Sequence, residues 1–413
     1  MGKANIEKES DLKKSKEKTF VEKLFYKKLT RREFIKCTLI ALGAIATATY
    51  GYKHLFGKSS GSLPNIFPAS APDTLWKWSK EAMFYKKIGD NVQCQLCPHS
   101  CSLALEDRGI CRGRVNKDGK LYSLVYGNPC AVHTDPIEKK PFFHFLPTSL
   151  AFSIATAGCN LRCLNCQNWQ ISQFQPEETT NYDLMPEDVV VNAKNDNCQS
   201  IAYTYSEPII YFEYMYDTAK IAKQHGIKNV MVTAGYINEK PLRDLCKVID
   251  GITLDIKGFN DSTYNKLNGA TLKPILANLK TIKDEKVWLE ISNLVVTSWT
   301  DDLDKIKEFC QWLYKNGFED YPLHFLRFQP QYKLTHLPPT PASTLNNARK
   351  IAIEEGLKFV YIGNIPGTDA ENTYCPKCGK TIIERKGFTV IENNIKNGTC
   401  GFCGEKIAGV WEA

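Results

Sequence analysis

From residue 149 onward, short apolar runs rich in β-branched residues alternate with longer stretches whose apolar positions recur every three or four residues. A continuous or alternating apolar run fits a strand, and a 3.6-residue period fits a helix with one buried face. Strands are thereby predicted over 150–156, 200–205, 228–233, 251–256, 287–296, 322–328 and 357–362, and helices over 186–195, 208–225, 239–249, 272–285, 301–316 and 342–355. Strand–helix alternation over this length means parallel βαβ units. Six or seven such units make an α/β fold, an open or incomplete (β/α) barrel, whose chemistry gathers at the C-terminal ends of the strands.

The flanks divide the chain further: a leader over 1–56, a Gly-, Ser- and Pro-rich linker over 57–73, an N-terminal Cys-rich module over 74–148, the barrel over 149–368 and a C-terminal module over 369–413. With 43% hydrophobic and 24% charged residues, the 413-residue chain affords a large core. Its net charge of +8 is concentrated in residues 1–36, which hold 12 Lys and Arg against 6 Asp and Glu. The near-neutral body lacks the basic excess of a nucleic-acid binder. Thr30-Arg-Arg-Glu-Phe-Ile-Lys36 follows a Lys-rich run and precedes sixteen uncharged residues, 37–52. That is the layout of a twin-arginine export signal, and it implies export or membrane association through the N-terminus. The apolar run is shorter than the ~20 residues of a spanning helix. Ala46-Thr-Ala48 and Ala69-Ser-Ala71 offer small-residue cleavage sites.

The sixteen cysteines fall mainly in three clusters with ligand spacing, unlike the scattered pairs of a secreted disulfide scaffold. Cys159-x3-Cys163-x2-Cys166 stands just past the first predicted barrel strand. Three soft thiolates suit an iron–sulfur cluster, and a four-iron cluster held by three cysteines leaves one iron open to a substrate or cofactor. Cys94-x2-Cys97-x3-Cys101-x9-Cys111 fits either a tetrahedral zinc site or a second cluster, with His99 as a substitute ligand. Cys375-x2-Cys378-Gly379 and Cys400-x2-Cys403-Gly404 repeat a knuckle around hairpin-like residues 381–391. This is a zinc-ribbon pattern, with rubredoxin-type iron as the alternative, and it reads as a capping or docking module beside the barrel mouth.

Polar residues recur where the predicted strands end. Ser206 and Glu207 follow the second strand, Thr233 and Gly235 close the third, and Asp255 and Lys257 close the fourth. Glu207 suits an ammonium ligand or a helix N-terminus. Asp255 and Lys257 clamp a polar ligand or pair with each other. The fifth strand offers Glu290 and Asn293, and the sixth Arg327 and Gln329.

From Cys94 to the C-terminus the chain resembles the radical SAM enzymes of the AmmeMemoRadiSam system, relatives of the pyruvate formate-lyase activating enzymes. The phrases carrying the likeness are Cys94-Gln-Leu-Cys-Pro-His-Ser-Cys101, Val132-His-Thr-Asp-Pro-Ile-Glu-Lys-Lys-Pro141, Gly158-Cys-Asn-Leu-Arg-Cys-Leu-Asn-Cys-Gln-Asn-Trp169, Tyr203-Thr-Tyr-Ser-Glu-Pro208, Asp255-Ile-Lys-Gly258 and Tyr361-Ile-Gly-Asn364. The resemblance implies that Cys159, Cys163 and Cys166 ligate a [4Fe-4S] cluster whose open iron takes S-adenosylmethionine. It implies that Ser206 and Glu207 replace a Gly-Gly-Glu contact to the methionine amino group, and that Asp255 and Lys257 face cofactor or substrate. Thr233 and Asn293 complete the expected cofactor-binding set. The implied activity is reductive cleavage to a 5′-deoxyadenosyl radical and hydrogen abstraction from a protein, peptide or small molecule, with a ferredoxin- or flavodoxin-like one-electron donor. Asn165 stands where an aromatic residue is common, and Gln329 where relatives often carry histidine. Supply of cofactor and reductant favours the cytoplasmic side, against the export-like leader. The competing readings are a non-catalytic iron–sulfur electron carrier and a zinc-ribbon nucleic-acid binder.

Overall fold

The computed structural model describes residues 65–68 and 72–412; the twin-arginine-like leader lies outside the described residues. An eight-stranded sheet organises the chain in the order β8-β7-β6-β5-β4-β3-β2-β1. The strands are β1 Ala131–Pro136, β2 Leu150–Ala155, β3 Ser200–Tyr203, β4 Lys228–Thr233, β5 Gly251–Asp255, β6 Trp288–Val295, β7 Leu323–Arg327 and β8 Val360–Gly363. Strands β2 to β8 run parallel, as expected, and β1 adds to the β2 edge antiparallel. The crossovers are helices α1 Pro186–Asn195, α2 Phe212–Gln224, α3 Glu239–Cys246, α4 Leu272–Asp284, α5 Leu303–Lys315 and α6 Ala342–Glu354. Each lays its apolar stripe on the sheet and covers its outer face. Start signals are visible locally: Pro186 opens α1, and the Asp302 carboxylate accepts from the amides of Asp304 and Lys305 to cap α5. Tyr205, with φ of 63°, ends the extended backbone of β3 short of the predicted boundary.

Two segments assigned to flanking regions belong with the ordered body. Strand β1 falls in the predicted Cys-rich module yet is part of the barrel sheet. Asn65–Pro68, read as linker, pairs antiparallel with Thr180–Asp183. The described residues from Lys80 to Ser123 form two small antiparallel sheets, one around Asn91–Cys94 and one around Arg114–Lys117.

The segment from Ile137 to Ser149 crosses the concave face of the sheet and supplies the core that an open sheet lacks. Thr253 Oγ1 donates to the carbonyls of Lys140 and Pro141 at 3.2 Å each. The fully buried Glu290 carboxylate accepts from the amides of Phe143 at 3.0 Å and His144 at 2.7 Å. It also takes His324 Nε2 at 2.7 Å. Burial opposes the Glu290 charge, but the hydrogen bond and charge of His324 hold its pKa below the ordinary value. Phe142 and Phe145 then fill the N-terminal end of the sheet, close against Gly251.

The C-terminal residues dock on the same segment. Arg385 Nη2 donates to the Phe143 carbonyl at 2.8 Å, and its Nη1 donates to Thr373 Oγ1 at 2.7 Å. His144 Nδ1 donates to the Ala408 carbonyl at 2.7 Å, which leaves Nε2 to accept from Tyr361 Oη at 2.6 Å. Burial pushes His144 down to about 4, so the ring is neutral and spends both nitrogens on the junction. Between pH 6.5 and 4 a proton binds the unfolded chain but not this folded imidazole. Stability contributed here is therefore complete above the unfolded value and lost as pH falls, by about 3 kcal/mol at pH 4. Denaturant midpoints across that range, compared with His144→Gln, are expected to show this extra acid sensitivity in the wild type alone; parallel profiles would refute it.

Candidate functional site

The cysteine loop leaves β2 through Gly158, whose φ of 99° no side chain favours. A Cβ at this position would stand 2.3 Å from the Cys111 carbonyl, so only glycine admits the approach of the two backbones. Beyond it, Arg162 and Leu164 donate their amides to the Asn268 and Leu267 carbonyls at 2.8 and 2.9 Å. These carbonyls sit on a widened π-turn, Tyr264–Asn268, a form common where backbone is bent for function. Trp169 stacks on Tyr332 at 5.4 Å and braces the far side.

Cys159, Cys163 and Cys166 all line one cavity of about 450 Å³ at the C-terminal ends of the strands. Two sulfurs already accept hydrogen bonds, Cys159 from the Leu161 amide at 3.3 Å and Cys163 from Asn268 Nδ2 at 3.2 Å. Burial pushes all three thiols upward, so a metal would have to displace their protons. Lys257 is the nearby positive charge that opposes this at Cys163. Three convergent thiols with room beside them fit a cluster with an open position, and the volume is that of a cofactor site.

The strand-end residues converge on this cavity: Ser206, Glu207, Thr233, Asp255 and Lys257 all line it. Glu207 is 4% exposed and accepts from Thr233 Oγ1 at 2.5 Å, the Ala234 amide at 2.9 Å and the Ile209 amide at 3.3 Å. It thus caps the turn Pro208–Tyr211 as well as facing the cavity. Burial raises its pKa to about 6 despite those donors. Ser206 spends its hydroxyl on the Thr156 carbonyl at 2.7 Å, so it shapes the wall by backbone rather than by Oγ. Asp255 and Lys257 pair at 3.2 Å, and Ser292 Oγ donates to the other Asp255 oxygen. Burial disfavours the lysine charge, but Asp255 and Cys163 hold its pKa well above the ordinary value.

Other expectations fail on geometry. Asn293 points away: its amide donates to the Ile256 carbonyl at 2.6 Å and it lines a separate small cavity with Phe259 and Trp299. Strand alternation explains this, because Ser292 holds the inward position beside Asp255. Glu290 lies deeper in the sheet as the anchor described above. Arg327 donates Nε to the Thr340 carbonyl at 2.8 Å, and Gln329 is exposed; neither lines the cavity, nor does Asn165. His99 spends Nε2 on the Asn160 carbonyl at 2.8 Å, which removes it as a substitute ligand through that nitrogen.

Residues that sequence reasoning did not single out complete the walls. Lys140 and Tyr205 both reach Asp135, with the Lys140–Asp135 contact at 2.6 Å, and both side chains border the cavity. Burial draws Lys140 down to about 8 even beside that carboxylate. Gln167, Asn168, Asn364 and Phe388 close the remaining sides. Asp135 and Lys140 stand inside the quoted phrase from Val132 to Pro141, which was the available signal.

A second cavity of about 600 Å³ shares Lys139, Gln167, Val232, Asp255, Asn364 and Phe388 with the first and continues beneath the hairpin of Thr381–Lys386 and Thr389–Asn393. That hairpin belongs to the C-terminal cysteine group. Cys375, Cys378, Cys400 and Cys403 present sulfurs all within 4.8 Å of one another, with Cys375–Cys403 at 3.6 Å and Cys378–Cys400 at 3.8 Å. Gly379 and Gly404, at φ of 72° and 76°, make the turns after each pair. The group can hold a metal ion.

The family model of the radical SAM superfamily matches residues 153–319. MJ0808 of Methanocaldococcus jannaschii, described as an uncharacterized protein, is 48% identical over 79% of this chain and 98% of its own length. A pyruvate formate-lyase-activating enzyme of Staphylococcus epidermidis is 27% identical over 53% of this chain and 92% of its own. Among solved structures, SuiB of Streptococcus suis bound to precursor peptide SuiA overlays with a TM-score of 0.42 at 16% identity, covering 54% of this chain and 50% of that one. With the cysteine loop and the strand-end residues gathered at one cavity inside the matched region, this chain belongs to the radical SAM superfamily.

Proposed function

We propose that the protein binds a [4Fe-4S] cluster through Cys159, Cys163 and Cys166 and uses it with S-adenosylmethionine to abstract a hydrogen atom from a peptide or protein substrate, in the manner of an activating enzyme. The observation that carries this reading is the shared cavity, which places three thiols and an ionisable carboxylate around space of cofactor size. Such a cluster, when bound, supplies the electron that cleaves the sulfonium to a 5′-deoxyadenosyl radical. The cluster electron comes from a ferredoxin- or flavodoxin-like donor.

The chain's own residues have separable tasks. Glu207 receives the methionine ammonium, a charge-assisted contact that also keeps a carboxylate of raised pKa ionised. Asp255 and Lys257, locked to each other and to Ser292, present a fixed dipole to the polar part of the ligand. Asn268 and the Leu161 amide steady the sulfurs. The second cavity takes the substrate, and Phe388 and the walls beneath it keep water from the radical. A simple electron carrier has no use for chambers of this size next to its ligands. We further propose that the C-terminal quartet holds structural zinc in a ribbon: with Zn–S of about 2.3 Å, tetrahedral sulfurs lie about 3.8 Å apart, which matches the observed pairs. Nucleic acid is not the expected partner of a near-neutral body.

The deciding experiment is incubation of reconstituted, reduced protein with S-adenosylmethionine. Formation of 5′-deoxyadenosine is expected, together with its loss in Cys163→Ala; an intact cluster without product would refute the reading. Glu207→Gln loses the charge and keeps a single acceptor oxygen, which serves Thr233 or Ala234 but not both. Calorimetry is expected to show binding of S-adenosylmethionine weakened about 10- to 100-fold at unchanged iron content, and equal affinity would leave Glu207 a turn cap only. Metal analysis is expected to find one zinc per chain that Cys400→Ser releases; iron at that position in wild-type protein would contradict the ribbon assignment.

A further inference from the structure

Cys94, Cys97, Cys101 and Cys111 come from separate strands and turns of the N-terminal region, yet all four line a cavity of their own together with Arg114 and Asn160. Cys101 and Cys111 stand side by side at Gly109, whose Cβ position lies 3.6 Å from Cys111 Sγ and 3.9 Å from Cys101 Sγ. Arg114 is 1% exposed and donates Nη2 to Glu213 at 2.6 Å. Its Nε and Nη1 have no hydrogen-bond partner, although both are buried. Two orphaned donors on a buried guanidinium, in the wall of a four-thiol cavity, call for an anionic occupant. A metal centre with four thiolates carries such a charge, and its sulfurs accept hydrogen bonds.

We propose that these four cysteines ligate a second iron–sulfur cluster, placed against the loop that carries the first. Sulfur spacing argues for a cluster over zinc. Among the described residues, the C-terminal quartet is the group whose ligand atoms close to within 4.8 Å of one another, as one tetrahedral ion requires. The Cys94–Cys111 quartet surrounds its cavity more widely, as ligands of a multi-atom core do. The neighbouring loop forms the shared wall: Asn160 follows Cys159 directly, His99 holds its carbonyl at 2.8 Å, and the Cys111 carbonyl stands against Gly158. The two centres are therefore near enough to couple magnetically. Only this last statement depends on the first cluster and hence on the function proposed above.

The test uses the full chain, reconstituted anaerobically with iron and sulfide, as wild type and as the triple variant Cys159→Ala, Cys163→Ala, Cys166→Ala. The variant is expected to keep about four irons and four sulfides, or about two of each for the smaller cluster type. Its reduced paramagnetic signal is expected to be unchanged by S-adenosylmethionine. Zinc in that position, a single iron without sulfide, or free thiols would overturn the proposal. Should the variant not fold, the wild type decides by itself: iron and sulfide beyond one four-iron cluster, with signals broadened by mutual coupling, support it, and about four irons in total refute it. Failure to make 5′-deoxyadenosine would sink the enzymatic reading while leaving the metal count of the variant intact.

Discussion

An open parallel sheet has a concave face that must be covered, and in this protein one short stretch of backbone covers it. The segment from Lys140 to Leu146 descends the inner face from the cavity to the N-terminal end of the strands. Its amides would be orphaned in the core without an acceptor, and Glu290 supplies one at full burial. The same segment hands its outward carbonyls and the His144 ring to the C-terminal residues. Barrel floor, cavity wall and C-terminal module are thus tied to a single strap. Removing one acceptor at its centre exposes several donors together, which is why such buried networks are costly to break.

Much of this architecture was legible because parallel strands buried on both faces are apolar throughout, and the helices between them have a clear stripe. Strand β1 escaped notice for the opposite reason. Ala131–Pro136 is an edge strand with His133 and Thr134 exposed, so it carries little apolar signal and is defined by pairing. The strand-end rule located Glu207, Thr233, Asp255 and Lys257 since each follows or closes a parallel strand. It failed for Asn293 on parity: Asp255 pairs in register with Ser292, and the next residue faces the other side. Glu290 and Asn293, an odd number of positions apart, were never able to share a face of one regular strand.

Tyr205 and Asn364 stand just past the ends of β3 and β8, inside phrases that carry the family likeness, yet nothing in them separates a wall residue from a neighbour. Phe388 comes from a distant hairpin and left no such trace, because its place at the cavity depends on tertiary packing alone. Arg114 is similar, because nothing in its local sequence marks it as a buried cation paired with Glu213 nearly a hundred residues away.

Phe388 sits at the tip of a hairpin whose base is fixed by the cysteine knuckles, and it borders both large cavities. On the function proposed above, the radical chemistry and the choice of what enters it would be housed on separate pieces of chain. Variation in the hairpin tip would then alter the admitted guest without disturbing the cysteine loop, a handle on selectivity that leaves the reactive centre untouched.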